Sequence, residues 1–246
     1  MREWFRDWFN EDYAIVYMHR DDREAESFTS IWPIWKEQIP APWCLDLGCG
    51  NGRFTRAIAV RGLRVVGLDL SRFLLQNARA RVSVGNASFY LLADLRSPPV
   101  KPRFGLAVSL FTSFGYFNND EEHRQVLQSV RNLLVPGGFL VLDLPNAAAA
   151  ARDSGSSRQR LVKDCRITES WRLTDDRKRI EKNILLEDQT GRRRYRESIR
   201  LFTEMELLEL TNAAGFEPMF PLWGDYSQRP LAPCSSRMVY FGRRRG

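Results

Sequence analysis

The stretch "CLDLGCGNGR", from Cys44 to Arg53, limits the fold of this chain more than any other. A short apolar run carries one acid and then meets glycines at every second position. That order reads as a β-strand feeding a tight turn and then a helix. Its strand end is stripped of side chains, so a ligand can approach the backbone. The dinucleotide fingerprint is G-x-G-x-x-G, whereas here the spacing is G-x-G-x-G and Arg53 stands where the third dinucleotide glycine would fall. The Lys-Ser/Thr pair of a phosphate-cradling loop is missing. Asp46, two residues before the first glycine, would repel a pyrophosphate but suits an ammonium group or an ordered water. The loop therefore points to a nucleoside carrying positive charge.

The surrounding sequence, 44–144, alternates short apolar runs with helical patterns. "CLDL", "RVVGLDLS", "ASFYLLADL", the centre of "PRFGLAVSLFTSF" and "FLVLDLP" read as strands. "RFTRAIAVRG", "RFLLQNARAR" (capped by Ser71) and "EEHRQVLQSVRNLLVPGG" read as helices between them. Strands apolar on both faces belong to a parallel sheet covered by helices, a doubly wound Rossmann-like α/β fold. His123 is expected on the surface of the last of these helices.

After Asn146 the pattern changes. "AAAAARDSGSSRQ" is a low-complexity connector. Three period-two stretches follow, near 160–173, 179–187 and 193–203, separated by "TDDRK" and "DQTGR", and read as an inserted antiparallel β-meander. "EMELLELTNAAG" returns to helix. "FEPMFPLWGDY" and "SRMVYFGRR" close the domain as an antiparallel hairpin at the sheet edge. The expected organisation is a helical lid segment over 1–40, a Rossmann-like domain over 41–150 and 204–246, and the insertion over 151–203.

Two further acids agree with the ligand reading. Asp69 ends the second strand, where a carboxylate accepts both hydroxyls of a ribose. Asp94 ends the third, where it can accept from the exocyclic amine of adenine. At this point the chain resembles the class I S-adenosylmethionine-dependent methyltransferases, through "LDLGCGNGR", "VVGLDLS", "ADL", "SLFTSFGYF" and "LLVPGGFLVLDLP", taken in the family's order over about 100 residues. The resemblance implies a seven-stranded, mostly parallel sheet, with S-adenosylmethionine as methyl donor and S-adenosylhomocysteine as product. It implies that the loop Gly48, Cys49, Gly50, Asn51 and Gly52 lets the backbone approach the cofactor. Asp46 would lie near the methionine amine, Asp69 and Leu70 on the ribose side, Ala93, Asp94 and Leu95 on the adenine side, and Leu110 beyond the fourth strand. In "YAIVYMHRDDREAE" it implies that Tyr17 and Arg20 close over the methionine moiety, Arg20 pairing with its carboxylate.

The resemblance is to small-molecule members of the family, which implies methyl transfer to N or O of a small acceptor. An RNA methyltransferase and a non-catalytic cofactor-binding scaffold are the alternatives. "FTSFGYF" would border the methyl group, with Phe114 and Tyr116 beside the acceptor. The N/D-P-P-Y/F pattern of relatives that methylate planar amides is absent. In sugar-amine N-methyltransferases, which look similar, a histidine often stands where this chain has Tyr116. His19 and Tyr226 are the other catalytic candidates, and Trp223 a further acceptor contact.

Charge bears on the acceptor. The chain has a formal net charge of +7, and residues 151–200 hold 15 Lys/Arg against 9 Asp/Glu. If 192–200 is a strand, Arg192, Arg194, Arg196, Ser198 and Arg200 share one face. That face is either solvated or, through Arg194 and Arg196, a site for an anionic acceptor. The meander could also form a homodimer interface. A nucleic-acid partner is disfavoured because the Rossmann part is not basic. No window is long and apolar enough for a membrane span, and "MREWFRDWFN" lacks the apolar centre of a secretory signal. Four cysteines without a C-x-x-C pair read as reduced thiols in a cytoplasmic protein, and two histidines make a zinc site improbable, so no metal is expected.

Overall fold

The computed structural model describes residues 3–31, 36–101 and 103–246. Parts of the expected lid (1, 2 and 32–35) therefore lie outside the described residues. The alternation of apolar runs and helices builds a seven-stranded sheet. Its strands are β1 (Trp43–Leu47), β2 (Arg64–Asp69), β3 (Ser88–Leu92), β4 (Phe104–Ser109), β5 (Leu134–Pro145), β10 (Phe216–Pro218) and β11 (Arg237–Arg244). The order is β10-β11-β5-β4-β1-β2-β3. β1 to β5 run parallel, and β11 pairs antiparallel with both β5 and β10. The order reverses between β1 and β4, which places the crevice of a doubly wound sheet at their carboxyl ends.

Helices α4 (Arg53–Val60), α5 (Arg72–Ala80), α6 (Asp120–Leu133) and α8 (Glu204–Ala213) cover the sheet with apolar stripes. Ser71 caps α5 as expected, its hydroxyl accepting from the Leu74 amide at 3.0 Å. α8 begins on a capping box of Thr203 and Glu206. His123 departs from expectation. It lies on the buried stripe of α6, among Phe114, Phe117 and Phe202, and desolvation lowers its imidazole to about 4.

The insertion has four strands rather than three: β6 (Ser157–Val162), β7 (Cys165–Leu173), β8 (Arg179–Asp188) and β9 (Gly191–Arg200), paired antiparallel in that order. The stretch expected over 160–173 breaks at Lys163 and Asp164, where a two-residue hairpin with Lys163 at φ 52° reverses the chain. The low-complexity connector also forms a short helix, α7 (Ala147–Asp153), capped by Asn146.

One face of this second sheet receives the N-terminal segment. That segment contains α1 (Phe5–Trp8), α2 (Glu11–Val16) and α3 (Arg23–Ser30). Trp8 and Val16 are buried with Cys165, Ile167, Ile184 and Leu186 of the meander. The four cysteines are unpaired, and among the described residues no helix is long and apolar enough to cross a membrane.

Candidate cofactor and acceptor site

A cavity of about 370 Å³ opens where β1, β2, β3 and β4 end, well inside the usual size for a small-molecule site. The glycine loop forms its floor. Gly48, Gly50 and Gly52 all take left-handed φ values, 71°, 55° and 76°, which side chains resist. A Cβ on Gly48 would come within 2.5 Å of Ser113, and one on Gly52 would overlap the Tyr90 hydroxyl. The glycines thus let the turn close against its neighbours, and α4 starts directly after them. Cys49, Gly50 and Asn51 line the cavity with Gly48; Gly52 lies outside the lining, against Tyr90.

Asp69 reaches the cavity from the end of β2. Its two oxygens accept the Gly50 and Ser71 amides, each at 2.8 Å, and burial pushes its carboxyl above the ordinary range. Each oxygen keeps a lone pair, enough for two adjacent hydroxyls. Asp94 reaches it from the end of β3. Burial works to raise its carboxyl, but the Arg96 guanidinium, at 3.0 and 2.6 Å, holds it below the usual value. Arg96 also binds Glu3 and Glu122, which ties the lid to the β3 end. Leu70 and Leu95 line the wall on either side; Ala93 is buried behind them.

Asp46 does not line the cavity. It lies beneath the loop, 2% exposed, accepting the Thr55 hydroxyl at 2.6 Å, and burial raises its carboxyl to about 7.

The roof comes from the N-terminal segment. Arg20 stacks on the Tyr17 ring at 3.7 Å and on Phe111 at 4.7 Å, and donates to the Tyr13 hydroxyl at 3.0 Å. Among the described residues no carboxylate pairs with it. Arg53 beside it, by contrast, pairs with Glu24 at 3.1 Å. Tyr17 is fixed from behind by the meander: its hydroxyl donates to Glu197 at 2.7 Å and accepts from Lys182 at 2.8 Å. Glu197 also accepts from the Trp8 indole at 2.6 Å. Tyr116, on the 3₁₀ turn Ser113–Tyr116, faces the cavity with Trp4 at 4.9 Å and Phe9 at 5.7 Å from its ring. Its hydroxyl makes no hydrogen bond among the described residues, and burial pushes the phenol well above its ordinary pKa.

Several expected site residues lie elsewhere. Phe114 is 1% exposed, packed on Phe202 and His123 in the core. Trp223 packs against Phe220 and Phe241 and bridges to Val239. Tyr226 donates to Asp143 at 2.6 Å rather than facing the cavity. His19 is exposed and outside the cavity wall. Arg194 and Arg196 are on the meander face turned away from the lid; Arg196 pairs with Glu181, and Arg192 with Glu187 at 2.6 Å. Ser198 and Arg200 do not continue an exposed arginine face, being buried against Arg179 and against Asp120 and Glu206. The residues missed include Glu197 and Lys182, Tyr13 and Glu3. The period-two alternation of β9 carried the signal for Glu197, since it puts Tyr195 and Glu197 opposite Arg194 and Arg196.

Residues 44–138 match a family model described as a methyltransferase domain. Over these residues the chain carries a methyltransferase domain. It is 26% identical over 217 residues to the dTDP-3-amino-3,4,6-trideoxy-alpha-D-glucopyranose N,N-dimethyltransferase of Streptomyces venezuelae, covering 86% of this chain and 87% of that one. It is 31% identical over 137 residues to the putative methyltransferase YqeM of Bacillus subtilis, and that match spans about half of each protein, 54%. The CcbJ methyltransferase of Streptomyces caelestis shares the fold, with a TM-score of 0.82 at 20% identity over 98% of this chain and 99% of that one. S-adenosylmethionine is the cofactor of this methyltransferase domain, and its residues suit it. The cavity offers an acid for hydroxyls, an unpaired cation for a carboxylate and glycines for close backbone approach.

Proposed function

We propose that this methyltransferase acts on the nitrogen of a small-molecule amine. The observation that carries the reading is the wall opposite the glycine loop. Phe5, Phe9, Tyr13, Tyr116 and Phe117 line it, and no carboxylate or imidazole joins them among the described residues. The carboxylates that do line the cavity, Asp69 and Asp94, stand at the strand ends and already accept hydrogen bonds. An alcohol acceptor would need a base. A neutral amine brings its own lone pair, and the rings favour the cation that results, by about 0.5–2 kcal/mol per good contact. The naming of a sugar amine acceptor for the Streptomyces venezuelae relative agrees with this class.

When bound, S-adenosylmethionine supplies a methyl on a sulfonium, open to in-line displacement. The chain's part is binding, alignment and exclusion of water. Asp69 would take the ribose hydroxyls, with Leu70, Leu95 and Asp94 around the adenine. Arg20, a buried cavity cation that no carboxylate pairs among the described residues, would take the methionine carboxylate, held in place by Tyr17 and Tyr13. Asp46 would act on the methionine amine from below the loop. Tyr116, with its free hydroxyl, would accept a hydrogen bond from the amine N–H and so aim the lone pair. Trp4, Phe5 and Phe9 would exclude water. Arg194 and Arg196 lie outside this cavity, so the reading has no anionic acceptor site on that face.

The test is a methyl-transfer screen with isotope-labelled S-adenosylmethionine over matched amines, alcohols, phenols and carboxylates, read by mass spectrometry. Amines should carry the label, with a rate that rises as pH approaches the amine's own pKa. Preferred labelling of alcohols or carboxylates would refute it.

A further inference from the structure

We propose that Asp143, with Tyr226 and Arg237, is a latch that holds the strained turn carrying Phe111 into the cavity. After β4 the chain passes through two successive left-handed residues, Phe111 at φ 62° and Thr112 at φ 81°. Neither is glycine, and a β-branched threonine resists this region most. Such a turn persists only where its surroundings hold it. Here one residue answers both amides. The Asp143 side chain accepts the Phe111 N–H at 3.0 Å, and its backbone carbonyl accepts the Thr112 N–H at 3.0 Å.

Asp143 is itself pinned. It is 1% exposed near the end of β5, and the same oxygen, Oδ2, accepts the Tyr226 hydroxyl and an Arg237 N–H, both at 2.6 Å. Arg237 reaches on to Glu24 at 3.3 Å, whose other oxygen holds Arg53. The Phe111 ring then lies against three guanidinium groups, Arg237 at 4.5 Å, Arg20 at 4.7 Å and Arg53 at 5.4 Å. Where the turn places Phe111, Arg20 must follow. The same turn leads directly into Ser113–Tyr116, so the support of the carboxylate end and that of the acceptor tyrosine are one structure. Neither Tyr226 nor Arg237 lines the cavity; Tyr226 acts through Asp143 as a positioning residue, and Arg237 acts both through Asp143 and against the Phe111 ring.

The functional consequence rests on the cofactor reading above, whereas the latch itself does not. The experiment is a double-mutant cycle of Tyr226→Phe and Thr112→Gly. Tyr226→Phe removes one hydrogen bond and leaves the ring in place. It should weaken S-adenosylhomocysteine binding about five-fold, the worth of one net hydrogen bond. In the Thr112→Gly background, where left-handed φ carries no penalty, the same change should cost less than about two-fold. Hydrogen exchange of the Phe111 and Thr112 amides in the ligand-free protein gives a readout independent of the cofactor, expected about five-fold faster in Tyr226→Phe. Equal losses in the two backgrounds, or unchanged exchange, overturn the latch. Failure of the wild-type protein to bind S-adenosylhomocysteine, with the exchange effect present, would instead overturn the cofactor assignment and leave the latch standing.

Discussion

Asp46 is the acid whose charge this fold accommodates least. It is 2% exposed, its side chain accepts the Thr55 hydroxyl at 2.6 Å, and Asp69 lies close enough to repel it. Burial, with Asp69 adding to it, raises the carboxyl from 3.8 to about 7. The native state therefore holds a proton that the unfolded chain releases. Below about pH 4 both states are protonated and the group contributes nothing. Between there and about pH 7 stability falls as pH rises, and above about pH 7 the full cost is present. Three pKa units at about 1.4 kcal/mol each give a cost of about 4 kcal/mol. Asp46→Asn keeps the shape and an oxygen for Thr55 but removes the charge. It should melt with the wild type at about pH 4 and about 10 °C higher at about pH 8, by differential scanning calorimetry. Cofactor binding should respond in the opposite sense. A bound ammonium favours the ionised carboxylate, so wild-type affinity for S-adenosylhomocysteine should rise from about pH 5 to 8, while the asparagine variant stays flat. An Asp46→Asn protein that melts below the wild type at about pH 8 would refute the burial-driven shift. A pH slope surviving in the variant would place the ammonium away from Asp46.

Three other outcomes follow from the same geometry. Arg20→Met removes a cavity cation that no carboxylate pairs among the described residues, and should weaken S-adenosylhomocysteine binding about thirty-fold by titration calorimetry, the size of a charge-assisted hydrogen-bonded pair; unchanged affinity would put the cofactor carboxylate elsewhere. Glu197→Ala strands the Trp8 and Tyr17 donors and should cost about 3 kcal/mol in urea unfolding, most of it recovered in Glu197→Gln, whose amide oxygen still accepts; a loss below about 1 kcal/mol would show that the lid is held by packing alone. The double change Arg194→Glu with Arg196→Glu should leave acceptor kinetics unchanged, because that face turns away from the lid. A several-fold rise in acceptor KM would return the substrate to it.

The cavity floor at the strand ends was legible because its information is local. Three glycines, Asp69 and Asp94 sit at strand ends whose parallel order follows from the apolar runs, and the crevice of a doubly wound sheet is where such ends converge. The acceptor half depends on contacts between residues far apart in the chain. Tyr17 meets Glu197 across 180 positions, and Arg96 binds Glu3 across 93. Within "SFGY", Phe114 and Tyr116 are two residues apart on a 3₁₀ turn, so one enters the core and the other the cavity. An aromatic such as Trp223 or Tyr226 reads the same in sequence whether it lines a cavity or packs a closing strand. His123 was a different kind of miss. It precedes Val126, Leu127 and Val130 by helical spacing, which marks it as part of the buried stripe.

The insertion has a physical task that the Rossmann part cannot perform. α1 and α2 have four and six residues, too short to hold their shape in water, and they carry Trp8 and Tyr13, with Phe9 just after α1. Only burial against a second surface can fix them. The inner face of the meander supplies it with Ile167, Ile184 and Leu186, and adds polar anchors at the points where side chains must not slide. Tyr195 donates to Asp12 at 2.6 Å, Glu197 accepts from Trp8 and Tyr17, and Lys182 donates to Tyr17. The rings that line the cavity are thus placed by residues one layer behind them. A change of cavity shape then needs no change in the cavity wall itself: substitutions at Ile167, Ile184, Tyr195 or Glu197 would move Phe9, Tyr13 and Tyr17 together while the strand ends on the other side stay fixed. The arginines on the outer face have no such lever, because the sheet lies between them and the lid.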